Sequence, residues 1–331
     1  MHAFVIDSYK SPLHAADVPE PTVGEHDLLV EVGAAGLNQL DEKIRLGEFT
    51  QLLPYRTPLT LGHDVAGTVV RVGPAVHGFA PGDVVFARPR DHRIGTFAER
   101  IAVHEDDVAL APRTASMAES ASLPLVALTA WQALVEIADV RPGQKVLVHA
   151  GAGGVGTVAI QLAKHLGAHV ATTASGTDAV FLRELGADVV VDYRTEDFAA
   201  ELSVYDVVLD SLGGENLLRS LGVLRRGGTA IGIAGPPTTR FAKEAGLNPV
   251  LRVVMGVLSR SVRARARRLG VEYRFLFMRA DGRQLREVAA LVDSGAIRPV
   301  VGRTYPFDET VAALAELGKT STRGKTVVTR A

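Results

Sequence analysis

The sequence predicts an α/β protein with two domains, one rich in short strands and one built on a parallel sheet covered by helices on both faces. Its 331 residues correspond to about two domains of ordinary size. Residues 1–123 carry short runs of Val, Ala and Leu broken by Gly and Pro, whereas over residues 124–270 apolar runs alternate with helix-length amphipathic stretches. Apolar strands that alternate with helices are typical of a parallel sheet buried on both faces.

In the first region, turn signals delimit the predicted strands. Residues 65–72 and 83–87 are rich in valine and lie next to Gly73-Pro74 and Pro81-Gly82. Short, closely spaced strands with little helical periodicity predict a small, irregular β-barrel.

The second region predicts five strands in series, at residues 145–149, 169–173, 189–191, 204–209 and 229–233. Helices are predicted over residues 155–166 and 178–185, because Gly167 and Gly186 follow them as stop signals. From Ala245 to Val271 no acidic residue occurs while six arginines do, which predicts a solvated helix.

The last part of the chain predicts a strand at 271–278, helices at 283–293 and 309–317, and a final strand at 325–329. We expect this final strand to pack against the first β-rich region, which would close the chain on itself.

The composition excludes several classes of protein. There is no cysteine, which excludes disulfides, thiolate zinc sites, iron–sulfur clusters and cysteine nucleophiles. The 36 Lys and Arg against 37 Asp and Glu argue against a nucleic-acid-binding protein. Asp7, Lys10 and His14 interrupt any N-terminal apolar core, and no apolar run is long enough to span a bilayer. We therefore expect a cytoplasmic protein with a small-molecule substrate and neither a nucleic-acid nor a membrane partner.

A glycine-rich segment, Gly151-Ala152-Gly153-Gly154-Val155-Gly156, lies between a predicted strand and a predicted helix. In this context the pattern predicts a dinucleotide-binding loop. Gly151 allows a tight turn, Gly153 allows close approach of a pyrophosphate, and Gly156 allows the helix to pack on the strand. The alternative is an ordinary strand–turn–helix connection with incidental glycines.

The end of the second strand favours NADP(H) as the cofactor. Enzymes that prefer NAD usually place Asp or Glu there, to bind the ribose hydroxyls. Here the strand continues into Ala174-Ser175-Gly176, with no carboxylate and also no Arg or Lys. Ser175 is the candidate contact for the 2′-phosphate, and an ordinary helix N-cap is the alternative of equal weight.

Seven segments together resemble the medium-chain dehydrogenase/reductase superfamily, and most closely its zinc-independent quinone oxidoreductase branch. They are residues 36–41, 62–67, 128–131, 143–164, 185–193, 210–214 and 323–325. The likeness extends over nearly the whole chain. It implies a GroES-like catalytic domain over residues 1–123, completed by about 295–331, and a Rossmann domain over 124–294 with the active site in the cleft. Dimers are common in this branch, and residues 271–278 are our candidate for the edge strand of a homodimer.

The resemblance also implies site residues. Asn38, Asp41 and Thr129 are expected near the nicotinamide, with a turn or a helix cap as the alternative role of each. Lys43 and Phe49 stand where some relatives carry tyrosines, so enones are as plausible as quinones. Lys43 is either a proton donor or anion anchor or a solvated surface lysine. The residues expected to contact the cofactor are Gly151, Gly153, Gly154, Val155, Gly156, Ser175, Tyr193, Leu212, Gly213, Ile233, Ala234, Phe275, Phe277 and Lys325.

No metal site is expected. Asn38 stands where zinc-dependent relatives have their first cysteine ligand, and His63 has no partners at ligand spacing. We expect Asp64 to be a buried hydrogen-bonded or salt-bridged group rather than a ligand.

These residues predict hydride transfer from NADPH to a quinone, an enone or a similar activated carbonyl or alkene. No metal ion is needed for that reaction, because hydrogen bonds can stabilise the oxyanion that develops on the acceptor. One alternative is a zinc-free, NADP-dependent alcohol dehydrogenase. The other is a non-enzymatic NADPH-binding protein whose arginines between Arg252 and Arg268 bind RNA, an anionic lipid or another partner.

Overall fold

The structure, a computed structural model, describes residues 1–319 and 322–330. Two compact units are present: Met1–Leu128 together with the chain from Arg279 onward, and Thr129–Met278. Residues 320, 321 and 331 of the expected C-terminal tail lie outside the described residues. The predicted α/β class is confirmed.

The strands of the described residues, in chain order, are β1 (His2–Ile6), β2 (His14–Asp17), β3 (Asp27–Gly36), β4 (Leu59–Thr60), β5 (Asp64–Val72), β6 (Val84–Ala87), β7 (Arg100–His104), β8 (Val108–Leu110), β9 (Lys145–Val148), β10 (His169–Ala174), β11 (Val189–Asp192), β12 (Tyr205–Asp210), β13 (Leu224–Gly232), β14 (Glu272–Phe275), β15 (Val301–Pro306) and β16 (Lys325–Thr329).

The helices are α1 (Gln39–Arg45), α2 (Met117–Ala121), α3 (Pro124–Trp131), α4 (Gly154–His165), α5 (Ala179–Glu184), α6 (Phe198–Glu201), α7 (Gly214–Val223), α8 (Thr239–Glu244), α9 (Pro249–Leu258), α10 (Arg260–Leu269), α11 (Gly282–Asp293) and α12 (Thr310–Glu316). A π-helix follows α3 over Gln132–Ile137. Single-turn 3-10 helices lie at Glu105–Asp107, Gly176–Asp178 and Phe307–Glu309.

In the first unit, a seven-stranded sheet forms around the long strand β3, which pairs with β5, β7 and β16. The final strand β16 runs antiparallel to β3, with Val327 opposite Gly36 and Val328 opposite Ala35. This confirms the expectation that the end of the chain packs on the first β-rich region. A smaller three-stranded sheet joins β1 to β2 and β4.

In the second unit, a fully parallel six-stranded sheet has the order β11-β10-β9-β12-β13-β14. The strand order reverses between β9 and β12, and ligands of open α/β sheets bind beside the carboxyl ends at such a switch point. The predicted Rossmann-type sheet is confirmed. Its edge strand β14 is shorter than the predicted 271–278, because pairing with β13 ends at Phe275.

The boundary expected at residue 294 differs from the one observed, because α11 packs on the first unit. A Cβ on Gly282 would lie 2.3 Å from the Val108 carbonyl oxygen, so only glycine permits this approach. At the other end of α11, the Asp293 carboxylate accepts hydrogen bonds from the Thr114 amide at 3.0 Å and hydroxyl at 3.1 Å. Helical periodicity predicted the helix but not the unit on which it packs.

Candidate functional site

The glycine-rich loop connects β9 to α4 and is packed too closely for larger residues at two positions. A Cβ on Gly151 would lie 2.1 Å from the Thr172 hydroxyl oxygen, and a Cβ on Gly156 would lie 2.4 Å from the Ala150 carbonyl oxygen. The second contact is the expected packing of the helix on the strand. The tight turn expected at Gly151 instead occurs at Ala150, whose φ is +53°.

The N-terminus of α4 has the properties of an anion site. Gly153 is its N-cap residue, and no side chain caps the helix. The first-turn amides of Gly154, Val155 and Gly156 have no partner within the helix, because the first four N–H groups of any helix lack one. A Cβ on Gly153 would meet only the Ala150 carbonyl oxygen, at 3.3 Å. These uncapped amides and this open approach fit the pyrophosphate of a dinucleotide.

His149 lies directly before the loop and is fully buried. Its Nδ1 lies 2.9 Å from the Thr173 hydroxyl and its Nε2 lies 2.8 Å from the Ser220 hydroxyl. Burial lowers the pKa of His149 from 6.5 to about 4, because desolvation disfavours the imidazolium. The neutral ring therefore ties β9 to β10 and α7 behind the loop.

This pKa predicts a pH-dependent stability. Between pH 6.5 and about 4 the unfolded chain binds a proton at His149 that the folded chain does not. The free energy of unfolding therefore contains the whole contribution of His149 above pH 6.5 and decreases as the pH falls below it. The expected loss across this window is about 3 kcal/mol. Urea unfolding of the wild type and of His149→Asn at a series of pH values measures it, and the variant should lack this part of the slope. Parallel pH profiles would contradict the assignment.

The carboxyl end of β10 carries Ser175, the expected contact for a 2′-phosphate. Its hydroxyl makes no helix-capping hydrogen bond and lies 2.9 Å from the Thr177 hydroxyl. Next to this point the structure places a carboxylate that the sequence reasoning missed, because Asp192 pairs in register with Ala174. A Cβ on Gly176 would lie 2.3 Å from Asp192 Oδ2. The register in which β11 pairs with β10 brings Asp192 to this position, so a prediction of that register would have found it.

Tyr193 lies at the same end of the sheet, and its amide donates to the Ala174 carbonyl at 3.2 Å. Its side chain is 61% exposed, so this is not a buried structural tyrosine. The Arg194 guanidinium carbon lies 5.9 Å from the tyrosine ring centroid. An exposed aromatic ring and a cation are thus available beside Ser175.

The carboxyl end of β12 holds a buried carboxyl group. Asp210 Oδ1 accepts a hydrogen bond from the Gly213 amide at 2.7 Å, and Oδ2 has no partner among the described residues. Burial raises the pKa of Asp210. Gly213 has a φ of +68°, and its neighbour Leu212 is exposed. The expected cofactor contacts at Leu212 and Gly213 therefore lie on a turn that Asp210 holds in place.

The ends of β13 and β14 place the remaining expected cofactor contacts of this unit. Ile233 is half-buried and Ala234 is exposed just beyond β13. Phe275 and Phe277 flank one aromatic ring, that of Phe241, at centroid distances of 5.0 and 6.2 Å. Both are half-buried, so they form a small aromatic group that sequence spacing alone did not reveal.

In the first unit, a buried ion pair joins Asp64 to Lys325, with Nζ 3.0 Å from Asp64 Oδ2. The Lys325 ammonium also donates to Asn38 Oδ1 at 2.5 Å and to the Leu37 carbonyl at 2.8 Å. Its three N–H bonds are used by these partners. The expected phosphate contact of Lys325 stays a prediction, and it would require one of these bonds to be exchanged. Asp64 Oδ1 accepts from the Leu125 amide at 2.7 Å. The expectation that Asp64 is a buried salt-bridged group agrees with this geometry.

Asn38 and Asp41 belong to the same network. The Asn38 side-chain amide donates to Asp64 Oδ2 at 2.9 Å, and its backbone amide donates to Asp41 Oδ2 at 2.8 Å. His63 Nδ1 lies 2.5 Å from Asp41 Oδ1. We name these five buried residues the Asp64 network: Asn38, Asp41, His63, Asp64 and Lys325. The Asn38 side-chain amide also donates to the Gly36 carbonyl, at 3.4 Å, and the expected place of Asn38 near the nicotinamide stays a prediction.

Thr129 belongs to the second unit and Lys43 to the first. Thr129 is buried in α3, three residues before the π-helix begins at Gln132. π-Helical turns are rare in proteins, and many of those that do occur lie at functional sites. Lys43 is half-buried on α1, two residues beyond Asp41. Both residues stay candidate catalytic residues because of their positions in the sequence.

Within residues 1–319 and 322–330, no three His, Cys, Asp or Glu side chains converge in a way that could hold a metal ion. His63 Nε2 is buried and has no hydrogen-bond partner in that same part of the chain. In the part described, no helix is both long enough and apolar enough to cross a membrane.

Comparison with known proteins gives consistent matches. One family model, described as an alcohol dehydrogenase GroES-like domain, matches residues 24–113, and another, described as a zinc-binding dehydrogenase, matches residues 185–328. The chain is 35% identical over 329 residues to the Mus musculus protein "NAD(P)H oxidoreductase RTN4IP1, mitochondrial", a match that covers 92% of this chain and 81% of the relative. It is 32% identical to the Arabidopsis thaliana "NADPH-dependent alkenal/one oxidoreductase, chloroplastic", covering 95% of this chain and 74% of the relative.

Solved structures agree with these matches. The quinone oxidoreductase from Coxiella burnetii superposes with a TM-score of 0.84 at 30% identity, and the alignment covers 99% of both chains.

Proposed function

The chain belongs to the medium-chain dehydrogenase/reductase superfamily and to its zinc-independent branch, and on that premise we propose that it is an NADPH-dependent reductase of enones, quinones and similar conjugated acceptors. Its relatives establish the broader class, an oxidoreductase with a nicotinamide cofactor. The observation that carries the proposal is the uncapped N-terminus of α4 beside Gly153.

When bound, the dinucleotide supplies a hydride, which the protein must direct to an acceptor while it stabilises negative charge on the acceptor oxygen. The amides of Gly154, Val155 and Gly156 bind the pyrophosphate in this proposal. The part of the dinucleotide outside the pyrophosphate is contacted by residues on the turns after β12 and β13, namely Leu212, Gly213, Ile233 and Ala234.

The Asp64 network fixes the backbone between β3 and α1. The Lys325 ammonium holds the Leu37 carbonyl and the Asn38 side chain, and the Asp41 carboxylate holds the Asn38 amide. We assign Asn38 and Asp41 a positioning role for this reason. Lys43, one half-turn further along α1, is the proposed proton donor, and Thr129 is the proposed hydroxyl donor to the acceptor oxygen.

Selectivity for NADPH rests on Ser175, whose hydroxyl is free of helix capping, and on Arg194 beside Tyr193. A carboxylate at the strand tip would repel the 2′-phosphate and favour the free ribose hydroxyls. The Asp192 carboxylate beside Gly176 acts in that direction, so the proposed preference requires Ser175 and Arg194 to outweigh it. We expect Ser175→Asp to lower kcat/KM for NADPH by about tenfold to a hundredfold, with little change for NADH, which corresponds to about 1.4–2.8 kcal/mol. Initial rates with each coenzyme measure this.

Ser175→Ala is the matched control, since it removes one hydroxyl without adding charge and should change kcat/KM for NADPH only a few-fold. Equal losses with both coenzymes in Ser175→Asp would contradict a 2′-phosphate contact at this position.

The function is tested by NADPH consumption against a simple enone, a quinone, an aldehyde and, in reverse, a secondary alcohol with NADP. The proposal expects turnover with the enone or the quinone. Alcohol-dependent reduction of NADP with neither acceptor used would select an alcohol dehydrogenase instead. NADPH binding with no turnover on any acceptor would select the non-enzymatic alternative.

The homodimer and the compartment also remain proposals. β14 is an edge strand of the second unit's sheet and is available to pair with a second copy. The two relatives above carry the words mitochondrial and chloroplastic in their names, so the cytoplasmic expectation stays a prediction.

A further inference from the structure

Helix α9 presents its apolar face to solvent. Five aliphatic side chains on it are between 45% and 71% exposed, namely Val250, Val253, Val254, Val257 and Leu258. Their spacing places them along one face of the helix, and we name them the apolar stripe. The helix is anchored from its other side, where Met255 is buried. Isolated exposed valines are ordinary, whereas these five side chains adjoin one another and leave one face of the helix apolar and open to solvent.

The adjoining helix α10 is strongly cationic. Arg260, Arg267 and Arg268 are exposed, and no carboxylate occurs from Ala245 to Val271. The other three arginines of this segment donate to uncharged oxygens: Arg252 to the Leu247 carbonyl, Arg263 to the Ser259 hydroxyl and the Gly256 carbonyl, and Arg265 to the Leu218 carbonyl. Their charge is therefore not neutralised by these contacts.

We infer that α9 and α10 form a docking surface for an anionic lipid bilayer. An apolar helix face next to a group of arginines is the pattern of helices that lie in the membrane interface, where the aliphatic side chains enter the boundary of the acyl chains and the cations meet lipid phosphates. The bilayer is the partner that complements both features. This proposal replaces the expectation, drawn from the sequence, that the chain has no membrane partner. It concerns where the protein binds and is independent of its proposed reaction.

A second copy of the chain fits less well. A ten-residue helix is about 15 Å long and 10–12 Å wide, so its face covers about 150–180 Å², against roughly 800 Å² on each partner of a stable interface. A symmetric contact would also bring identical cationic segments close together, and like charges oppose association. RNA would be held by the arginines through its phosphates but would leave the stripe uncovered.

The test is co-sedimentation of the full chain with vesicles of phosphatidylcholine alone and with vesicles of equal parts phosphatidylcholine and phosphatidylglycerol. We expect binding to the anionic vesicles that weakens with salt. Val253→Asp combined with Val257→Asp should lower the partition coefficient at least about tenfold, since two apolar side chains no longer enter the interface. Both side chains are 67% exposed, so the variant keeps its fold, which its melting temperature verifies.

Two matched controls lie on α5. Val180, which is 69% exposed, is changed to Asp and should leave partitioning unchanged. For charge, Arg267→Ala should reduce binding to anionic vesicles about fivefold, while Arg183→Ala, also at an exposed position, should not.

Four outcomes would overturn the proposal. One is no binding of the wild type to either vesicle, and a second is an equal loss in Val180→Asp. The third is a wild-type dimer that the double variant separates into monomers without vesicle binding by either, which would assign the stripe to a second copy. Binding of RNA alone, lost in Arg267→Ala and retained in the double variant, would likewise replace the bilayer with RNA.

Discussion

Replacement of Asp64 by asparagine should lower the free energy of unfolding by about 3–5 kcal/mol, the cost of leaving a buried charge without its partner. Asp64 is fully buried, and its carboxylate accepts hydrogen bonds from Lys325, Asn38 and the Leu125 amide. Asparagine keeps the shape but removes the negative charge opposite the Lys325 ammonium. Urea unfolding at neutral pH measures the loss.

The double variant Asp64→Asn with Lys325→Met tests whether the loss comes from the uncompensated charge. If it does, removal of both charges restores much of the stability, and the two single losses are strongly non-additive. Asp139→Asn serves as control, because Asp139 forms an ion pair with Arg141 at the surface and such pairs contribute little. Additive single losses would contradict the assigned ion pair.

Valine at Gly153 should abolish tight NADPH binding while leaving the fold intact. Gly153 has a φ of −77°, which any residue adopts, and a Cβ there has only one near neighbour, at 3.3 Å. The side chain would instead occupy the approach to the uncapped amides of α4. We expect Kd for NADPH to rise about a hundredfold or more, the equivalent of two lost charge-assisted hydrogen bonds.

Gly156→Val is the contrasting variant. Its Cβ would lie 2.4 Å from the Ala150 carbonyl oxygen and 2.7 Å from the Gly151 Cα, so overpacking should lower stability by about 1–3 kcal/mol in addition to weakening NADPH binding. Melting temperature and a fluorescence titration with NADPH, measured on both variants, separate the two effects. Wild-type affinity in Gly153→Val would show that the pyrophosphate binds elsewhere.

Much of the fold could be predicted because its pattern is local. The strands of the parallel sheet are short apolar runs between amphipathic helices, and the predicted strand at 325–329 matches β16 residue for residue. The placement of α11 could not be predicted, since periodicity identifies a buried face but not the surface that buries it. The composition of the arginine-rich segment predicts a solvated helix, but the apolar stripe depends on which face of α9 the rest of the fold leaves exposed, and local sequence does not encode that.

In the candidate site, too, local features could be predicted from the sequence and features that depend on distant residues could not. The glycine-rich loop could be found from six consecutive residues, because its chemistry depends on local backbone. The ion pair between Asp64 and Lys325 spans 261 positions of sequence, and no local pattern encodes it, which is why the sequence alone does not predict this partner for Lys325. Asp192 was missed for a related reason, since its position beside Gly176 depends on the register of two neighbouring strands.

We propose that this chain transfers hydride from a bound nicotinamide dinucleotide to a conjugated acceptor without a metal ion. A single turnover with NADPH that carries deuterium at both C4 positions, a cyclic enone as acceptor and a metal chelator present tests it most directly. We predict a reduced product with one deuterium on the carbon β to the carbonyl, at a rate that the chelator does not change. A product without deuterium, or turnover that stops with the chelator and returns with zinc, would contradict the claim.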